Sequence, residues 1–246
     1  MIVEIVGGAG VGKTTIANLL RQQIDDLDYI TDWRHLRYLP ALLGSAVTLL
    51  PHLLSTSWSS AHLRYYTRKE LNWMARLVTS RRILQRQRAQ GALHQVVLLD
   101  QGPIYTLARL AEQAYGYGEQ SVHATRWRSE MVEHWSTLLD LVIWLDAPSS
   151  VLVDRVFSRS KAHWLQLGTV AEATAVLQLH QQLYAQLLAQ LERLGRCRVI
   201  RYDSSEQPAT ALAAQIGTEL MQSAAYMGSG IVDSPLHKVS ARQEHS

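Results

Sequence analysis

Ile2-Val3-Glu4-Ile5-Val6-Gly7-Gly8-Ala9-Gly10-Val11-Gly12-Lys13-Thr14 joins an apolar, β-branched run to a complete G-x-x-x-x-G-K-[ST] pattern. The run predicts a buried strand, and the residues after Lys13 carry Ile16, Leu19, Leu20 and Ile24 at helical spacing. Strand, glycine-rich turn and helix therefore follow in the order that makes an anion socket. The glycines let the backbone turn its N–H groups inward, and the helix aims the positive end of its dipole at the same point. Gly7, Gly8, Ala9, Gly10, Val11, Gly12, Lys13, Thr14 and Thr15 are the expected socket for a nucleoside triphosphate. Lys13 reaches the β/γ-phosphates and the Thr14 hydroxyl ligates Mg²⁺.

Two later strands end in a carboxylate. Val96-Val97-Leu98-Leu99-Asp100 precedes Gln101-Gly102-Pro103, a turn that opens a helix, and Leu141-Val142-Ile143-Trp144-Leu145-Asp146 precedes Ala147-Pro148. Asp100 is expected to hold a Mg²⁺-bound water or accept a proton from an attacking hydroxyl. After Asp146 the helix matters more than the carboxylate. Arg155 and Arg159 are four apart and are predicted to share a helix face, with Lys161 and His163 beyond them, as a lid over about 151–168.

A short strand is predicted at Tyr29-Ile30-Thr31-Asp32-Trp33, a helical insertion over about 34–90, a last strand at Arg198–Asp203 and a closing helix from Pro208 to Met221. Basic residues gather between Arg64 and Arg88, mostly as a solvated face, with one or two arginines free to turn inward onto an anionic acceptor. Trp127 and Trp135 read as aromatic core.

Composition bounds the function classes. Of 246 residues, 47% are hydrophobic and 18% charged, and the net charge of +3 does not demand nucleic acid. The apolar stretch Leu39–Leu54 is broken by Pro40, Pro51 and His52 and falls short of the roughly 20 apolar residues a bilayer needs. The start of the chain leaves no room for a signal segment, so a cytoplasmic protein without stable membrane association is expected. The lone Cys197 reads as a small core residue, and the ten histidines, scattered without metal-ligand spacing, as ordinary core or surface.

With these motifs in this order over residues 1–222, the chain resembles the P-loop nucleoside and nucleotide kinases, the thymidylate-kinase-like group of the P-loop containing nucleoside triphosphate hydrolase superfamily. The resemblance implies a three-layer α/β/α fold, with a five-stranded parallel sheet and a helical insertion between strands 2 and 3. Residues 223–246 would form a flexible C-terminal tail. It implies an ATP-dependent phosphotransferase using Mg²⁺, with a small-molecule acceptor, a nucleoside or nucleotide-like compound, across a cleft from ATP; a homodimer is compatible with it. By position, Lys13, Asp100, Arg155 and Arg159 look like the catalytic groups, and Thr14 with Asp100 like the metal ligands. The chain departs from the group after the third strand. Thymidylate kinases place Arg directly after the Asp and deoxynucleoside kinases use Glu-Arg-Ser, where this chain has Gln101-Gly102-Pro103. A non-nucleotide hydroxyl compound as acceptor, a P-loop ATPase or switch acting through a protein partner, and a binding protein that transfers nothing are the rival readings. No Asn-Lys-x-Asp sequence supports a GTPase.

Overall fold

The structure, a computed structural model, describes residues 1–30, 68–93, 95–116 and 122–228. Within them lies a five-stranded, all-parallel sheet: β1 (Ile2–Val6), β2 (Leu27–Ile30), β3 (Val96–Asp100), β4 (Leu141–Asp146) and β5 (Arg198–Asp203), in spatial order β2-β3-β1-β4-β5. The described helices are α1 (Lys13–Gln23), α2 (Arg68–Ala89), α3 (Pro103–Gly116), α4 (Val122–Ser136), α5 (Ser149–Ser158), α6 (Val170–Leu194) and α7 (Ala209–Gly228), with a 3₁₀ turn at Trp164–Leu167.

Strands buried on both faces read as continuous apolar runs, and β1, β3 and β4 are of this kind. One face of the sheet packs against α2, α3, α4 and the C-terminal part of α6, through Leu77, Leu84, Leu107, Trp135 and Leu188. The other packs against α1, α5 and α7, through Ile16, Leu20, Leu152, Val156 and Ile216. Trp127 and Trp135 sit in the first of these layers, 5% and 0% exposed, as aromatic core. Cys197 is buried there too, and burial pushes its thiol up to about 12, which removes it as a nucleophile at neutral pH.

Sheet order fixes the site. β1 is central, with β3 on one side and β4 on the other, and its register pairs Ile5 with Asp100 and Val6 with Trp144. The loop after Val6 therefore emerges between the carboxyl ends of β3 and β4, where open parallel sheets form their crevice.

Several boundaries differ from the sequence expectation. The second strand lies two residues early, because Leu27–Ile30 is the stretch that pairs with Val96–Leu99; Thr31, Asp32 and Trp33 lie outside the described residues, as do 34–67 of the expected insertion and 229–246 of the tail. The closing helix runs past Met221 to Gly228, with Ala224 buried in the core. Helix α5 ends at Ser158, so Arg159 is its extended C-cap residue and shares no helix face with Arg155. No helix of the described residues is long and apolar enough to cross a membrane.

Candidate active site

A cavity of about 450 Å³ opens at the carboxyl edge of the sheet. Its floor is the glycine-rich loop, through Gly7, Ala9, Gly10, Gly12, Lys13, Thr14 and Thr15. Gly7 has φ 146°, and a Cβ there would stand 2.2 Å from the Leu145 carbonyl oxygen of β4, so only glycine lets the loop leave the strand this tightly. Gly8 and Val11 complete the turn from behind: Gly8 lends its carbonyl to Lys13, and Val11 is buried in the core. Lys13 Nζ donates to the carbonyls of Gly7 and Gly8 at 2.6 and 2.9 Å, which curls the side chain over the loop. Burial pulls its ammonium down to about 8, against the Asp100 carboxylate, which holds it up.

Asp100 stands on the same wall, with Tyr29 of β2 donating to its Oδ2 at 3.0 Å. The following residue, Gln101, adopts φ 56°, a left-handed conformation uncommon for a non-glycine residue and characteristic of functional turns. What holds this turn is Glu4, a fully buried carboxylate in the middle of β1. Its two oxygens each accept an N–H from the first turn of α3, Ile104 and Tyr105, both at 2.9 Å. The backbone of Gly102 presses against it so closely that a Cβ there would lie 2.7 Å from the Glu4 carboxyl carbon. Burial pushes the Glu4 carboxyl up to about 8 against the pull of the two amides, with Asp100 adding to the rise.

The remaining walls come from two directions. Arg155, Arg159, His163, Trp164 and Leu165 close one side, and Tyr105, Ala108 and Arg109 of α3 with His180 and Tyr184 of α6 close the other. Arg155 also donates to the Ser204 hydroxyl and carbonyl at 3.1 and 2.9 Å, which ties α5 to the loop after β5. Arg159 Nε donates to the Lys161 carbonyl at 3.0 Å. His163 is held below the usual imidazole range by burial and then by Arg159, Lys13, Arg109 and His180, so the cavity carries a strongly positive field.

The cavity thus gathers Lys13, Thr14, Asp100, Arg155 and Arg159. The sequence reading placed His163 in the lid and passed over Glu4, Tyr29, Tyr105, Arg109, His180 and Tyr184. Two signals were available for most of them: a single charge inside the apolar run Ile2–Val6, and the i,i+4 pairs Tyr105/Arg109 and His180/Tyr184, which place polar groups on one helix face. The histidines expected to be ordinary include His163 and His180 on the cavity wall. No described residue between Arg68 and Arg88 lines the cavity. Arg88 is paired with Asp140 at 2.5 Å and Arg81 donates to the His134 carbonyl at 3.1 Å. Among the described residues no three His, Cys, Asp or Glu side chains are grouped to hold a metal by themselves.

Fold and loop together define an open, all-parallel α/β sheet with a glycine-rich P-loop sequence at its crevice. No family model matches the chain and no curated protein matches it by sequence. Solved structures do share its fold. A deoxyadenosine kinase from M. mycoides, solved with products dCMP and a flexible dCDP, superposes with a TM-score of 0.50 over 90% of this chain and 100% of its own, at 12% identity. The same enzyme with bound dATP gives 0.50 over 90% and 100%, at 14% identity. The YorR protein of Bacillus subtilis, in complex with phosphorylated GDP, gives 0.50 over 92% and 98%, at 13% identity.

Proposed function

We propose that this chain is an ATP-dependent kinase that transfers the γ-phosphoryl group to a hydroxyl of a nucleoside or nucleotide-like small molecule, in the cytoplasm. The observation that carries the reading is the shared cavity: phosphate loop, strand-end carboxylate and two arginines from a separate element open onto one space. Phosphoryl transfer needs positioning and charge neutralisation more than covalent help, and these groups supply both.

The residues fit the donor. The glycine loop can turn this tightly only without side chains, since a Cβ at Gly7 or Gly10 would strike the backbone of Leu145 or Leu152. A turn of this kind aims backbone N–H groups at a polyphosphate. Lys13, desolvated and resting on two carbonyls, is a cation ready to exchange those carbonyls for β/γ-phosphate oxygens. Mg²⁺ keeps most of its coordination for phosphate and water oxygens, so Thr14 and Asp100 suffice to hold it from the protein side. When bound, the ion neutralises charge on the phosphates. Asp100, fixed by Tyr29, orients the acceptor hydroxyl and takes its proton. Arg159 and, from its anchor on Ser204, Arg155 stabilise charge on the transferring group, with residues 151–168 acting as a lid.

The test is ADP formation by the purified protein with Mg-ATP against nucleosides, nucleoside monophosphates, sugars and amino alcohols. Turnover that depends on an acceptor and disappears in Lys13→Ala establishes the reaction. Tight ATP binding that no acceptor stimulates would move the reading to an ATPase coupled to a protein partner.

A further inference from the structure

The cavity wall that α3 and α6 supply carries three donors without a partner among the described residues: the hydroxyls of Tyr105 and Tyr184, and Arg109 Nε. Tyr105 and Arg109 lie one turn apart on α3, and His180 and Tyr184 one turn apart on α6, so four polar side chains converge from two helices. Tyr184 feels Tyr105, Arg109 and Glu112 electrostatically, and Tyr105 feels Arg109, Glu112 and Asp100, so the group is contiguous and adjoins the carboxylate. Neither phenol hydroxyl has a hydrogen-bond partner among the described residues, and Arg109 Nε is buried without one.

The carboxylate behind them is held by charge. Glu112 forms an ion pair with Arg109, and its Oε1 lies 3.1 Å from His180 Nε2. Burial raises the Glu112 carboxyl, but His180 and Arg109 outweigh it and hold the group below the usual carboxylate range. Glu112 does not line the cavity. It works from behind, fixing the guanidinium in one orientation so that little side-chain entropy is lost when a ligand arrives. A group with only acceptors, an oxyanion, satisfies an arginine fork and two phenols at once.

Resting on the kinase reading above, we propose that Arg109, Tyr105 and Tyr184 form an oxyanion site for the acceptor, so that the molecule phosphorylated already carries a phosphomonoester or carboxylate near its reacting hydroxyl. Gln101, neutral and exposed beside Asp100, cannot do this. Nor does any described arginine of α2, none of which reaches the cavity.

The first arm reads the site without knowing the acceptor. With the glycine loop saturated by a non-hydrolysable Mg-ATP analogue, inorganic phosphate and acetate are titrated calorimetrically into wild type, Arg109→Gln, and the double variant Tyr105→Phe with Tyr184→Phe. The wild type is expected to bind phosphate. Arg109→Gln should weaken it by roughly tenfold or more, as loss of a charge-assisted pair does, and the hydroxyl deletions by several-fold. The phenylalanine variant keeps both rings and so tests the site even if Arg109→Gln does not fold. Equal phosphate affinity in wild type and the phenylalanine variant overturns the proposal.

The second arm compares acceptors that keep a free hydroxyl and differ in the anion. Nucleosides are set against their 3′-monophosphates, which retain the 5′-hydroxyl, and against their 5′-monophosphates, which retain the ribose hydroxyls, and hydroxy acids against their amides. Preference for the charged member, lost in the phenylalanine variant, supports the site, and phosphate against carboxylate names the source. Preference for the neutral member overturns this proposal while leaving the kinase intact. ADP formation with neither member would instead overturn the kinase reading, with the phosphate titration still deciding the site.

Discussion

The ends of β3 and β4 are nearly the same sentence written twice. Each is a buried apolar run closing on an aspartate, one strand to either side of β1. Their carboxylates nevertheless have different employment. Among the described residues Asp100 has a single hydrogen bond, from Tyr29, and it lines the cavity. Asp146 accepts from its neighbour's amide, Ala147, at 2.9 Å, from Gln181 Nε2 at 2.8 Å and from Arg201 at 2.5 Å, and is absent from the cavity wall. A carboxylate whose lone pairs are filled by its own fold is structural, and one left with an open oxygen can work on a ligand.

The same substitution at both positions is the sharpest way to break that contrast. Asp100→Asn should lower turnover with Mg-ATP by on the order of a hundredfold or more, since the base at the acceptor hydroxyl is lost, while thermal stability stays close to wild type. Steady-state kinetics and a melting curve on one preparation decide it. Unchanged turnover in Asp100→Asn would place the two strand ends on the same footing and remove the carboxylate from the mechanism.

A second break targets what points Asp100 at the cavity. Glu4 caps α3 with both oxygens, and Gln101 keeps its left-handed turn between that cap and β3. Glu4→Gln replaces an accepting oxygen with a donating amide facing an N–H, and so leaves a buried donor unmet. The expected loss is about tenfold in kcat with ATP affinity retained, plus about 1 to 3 kcal/mol of stability. Gly102→Ala drives a methyl into the same carboxyl from the other side and should reproduce the kcat loss. If both variants lose stability alone, with kcat intact, Glu4 only holds the helix.

These residues also mark where the sequence was legible. The glycine loop could be read because its chemistry is local: nine consecutive residues carry the turn, the cation and the hydroxyl. The strands could be read because burial on both faces forces an unbroken apolar run, which Val96–Leu99 and Leu141–Leu145 are. Glu4 was hidden by the same rule, since inside such a run a single charge looks like noise until α3 is seen resting on it. Arg109 and His180 are 71 residues apart and meet only because α3 and α6 pack on the same sheet face. Arg155 and Arg159 do line one cavity, yet their helical spacing was beside the point, because the chain has already left the helix at Arg159.

Asp146→Asn completes the comparison with a small effect. The amide oxygen still accepts from Ala147 and Gln181, while the amide nitrogen meets the Arg201 guanidinium donor to donor; that arginine is 62% exposed, stacks 4.4 Å over Trp144 and can turn to water. With its arginine hydrated and its carboxylate buried, such a pair is expected to contribute about 1 kcal/mol. Turnover should stay within twofold of wild type. A kinetic defect as large as that of Asp100→Asn would mean that the β4 carboxylate also acts on the ligand.

The smallest effect separates the two aspartates by field alone. The Lys13 ammonium sits at about 8 because burial lowers it and Asp100 raises it; Asp146 is not among the causes. Polyphosphate favours the charged form, so ATP affinity should be nearly constant up to about pH 8 and fall above it, and binding near that pH should take up a proton, measurable by titration calorimetry in two buffers of different ionisation enthalpy. Stability of the ligand-free protein responds with the opposite sign. Lys13 titrates near 10.5 when unfolded and near 8 when folded, so the unfolded chain binds more protons between those values and the Lys13 contribution to stability rises with pH across that window. Asp100→Asn removes the raising charge and should shift the break in affinity to lower pH, whereas Asp146→Asn should leave it in place. If both variants shift the break equally, or neither does, the carboxylate beside the loop is not the one the lysine feels.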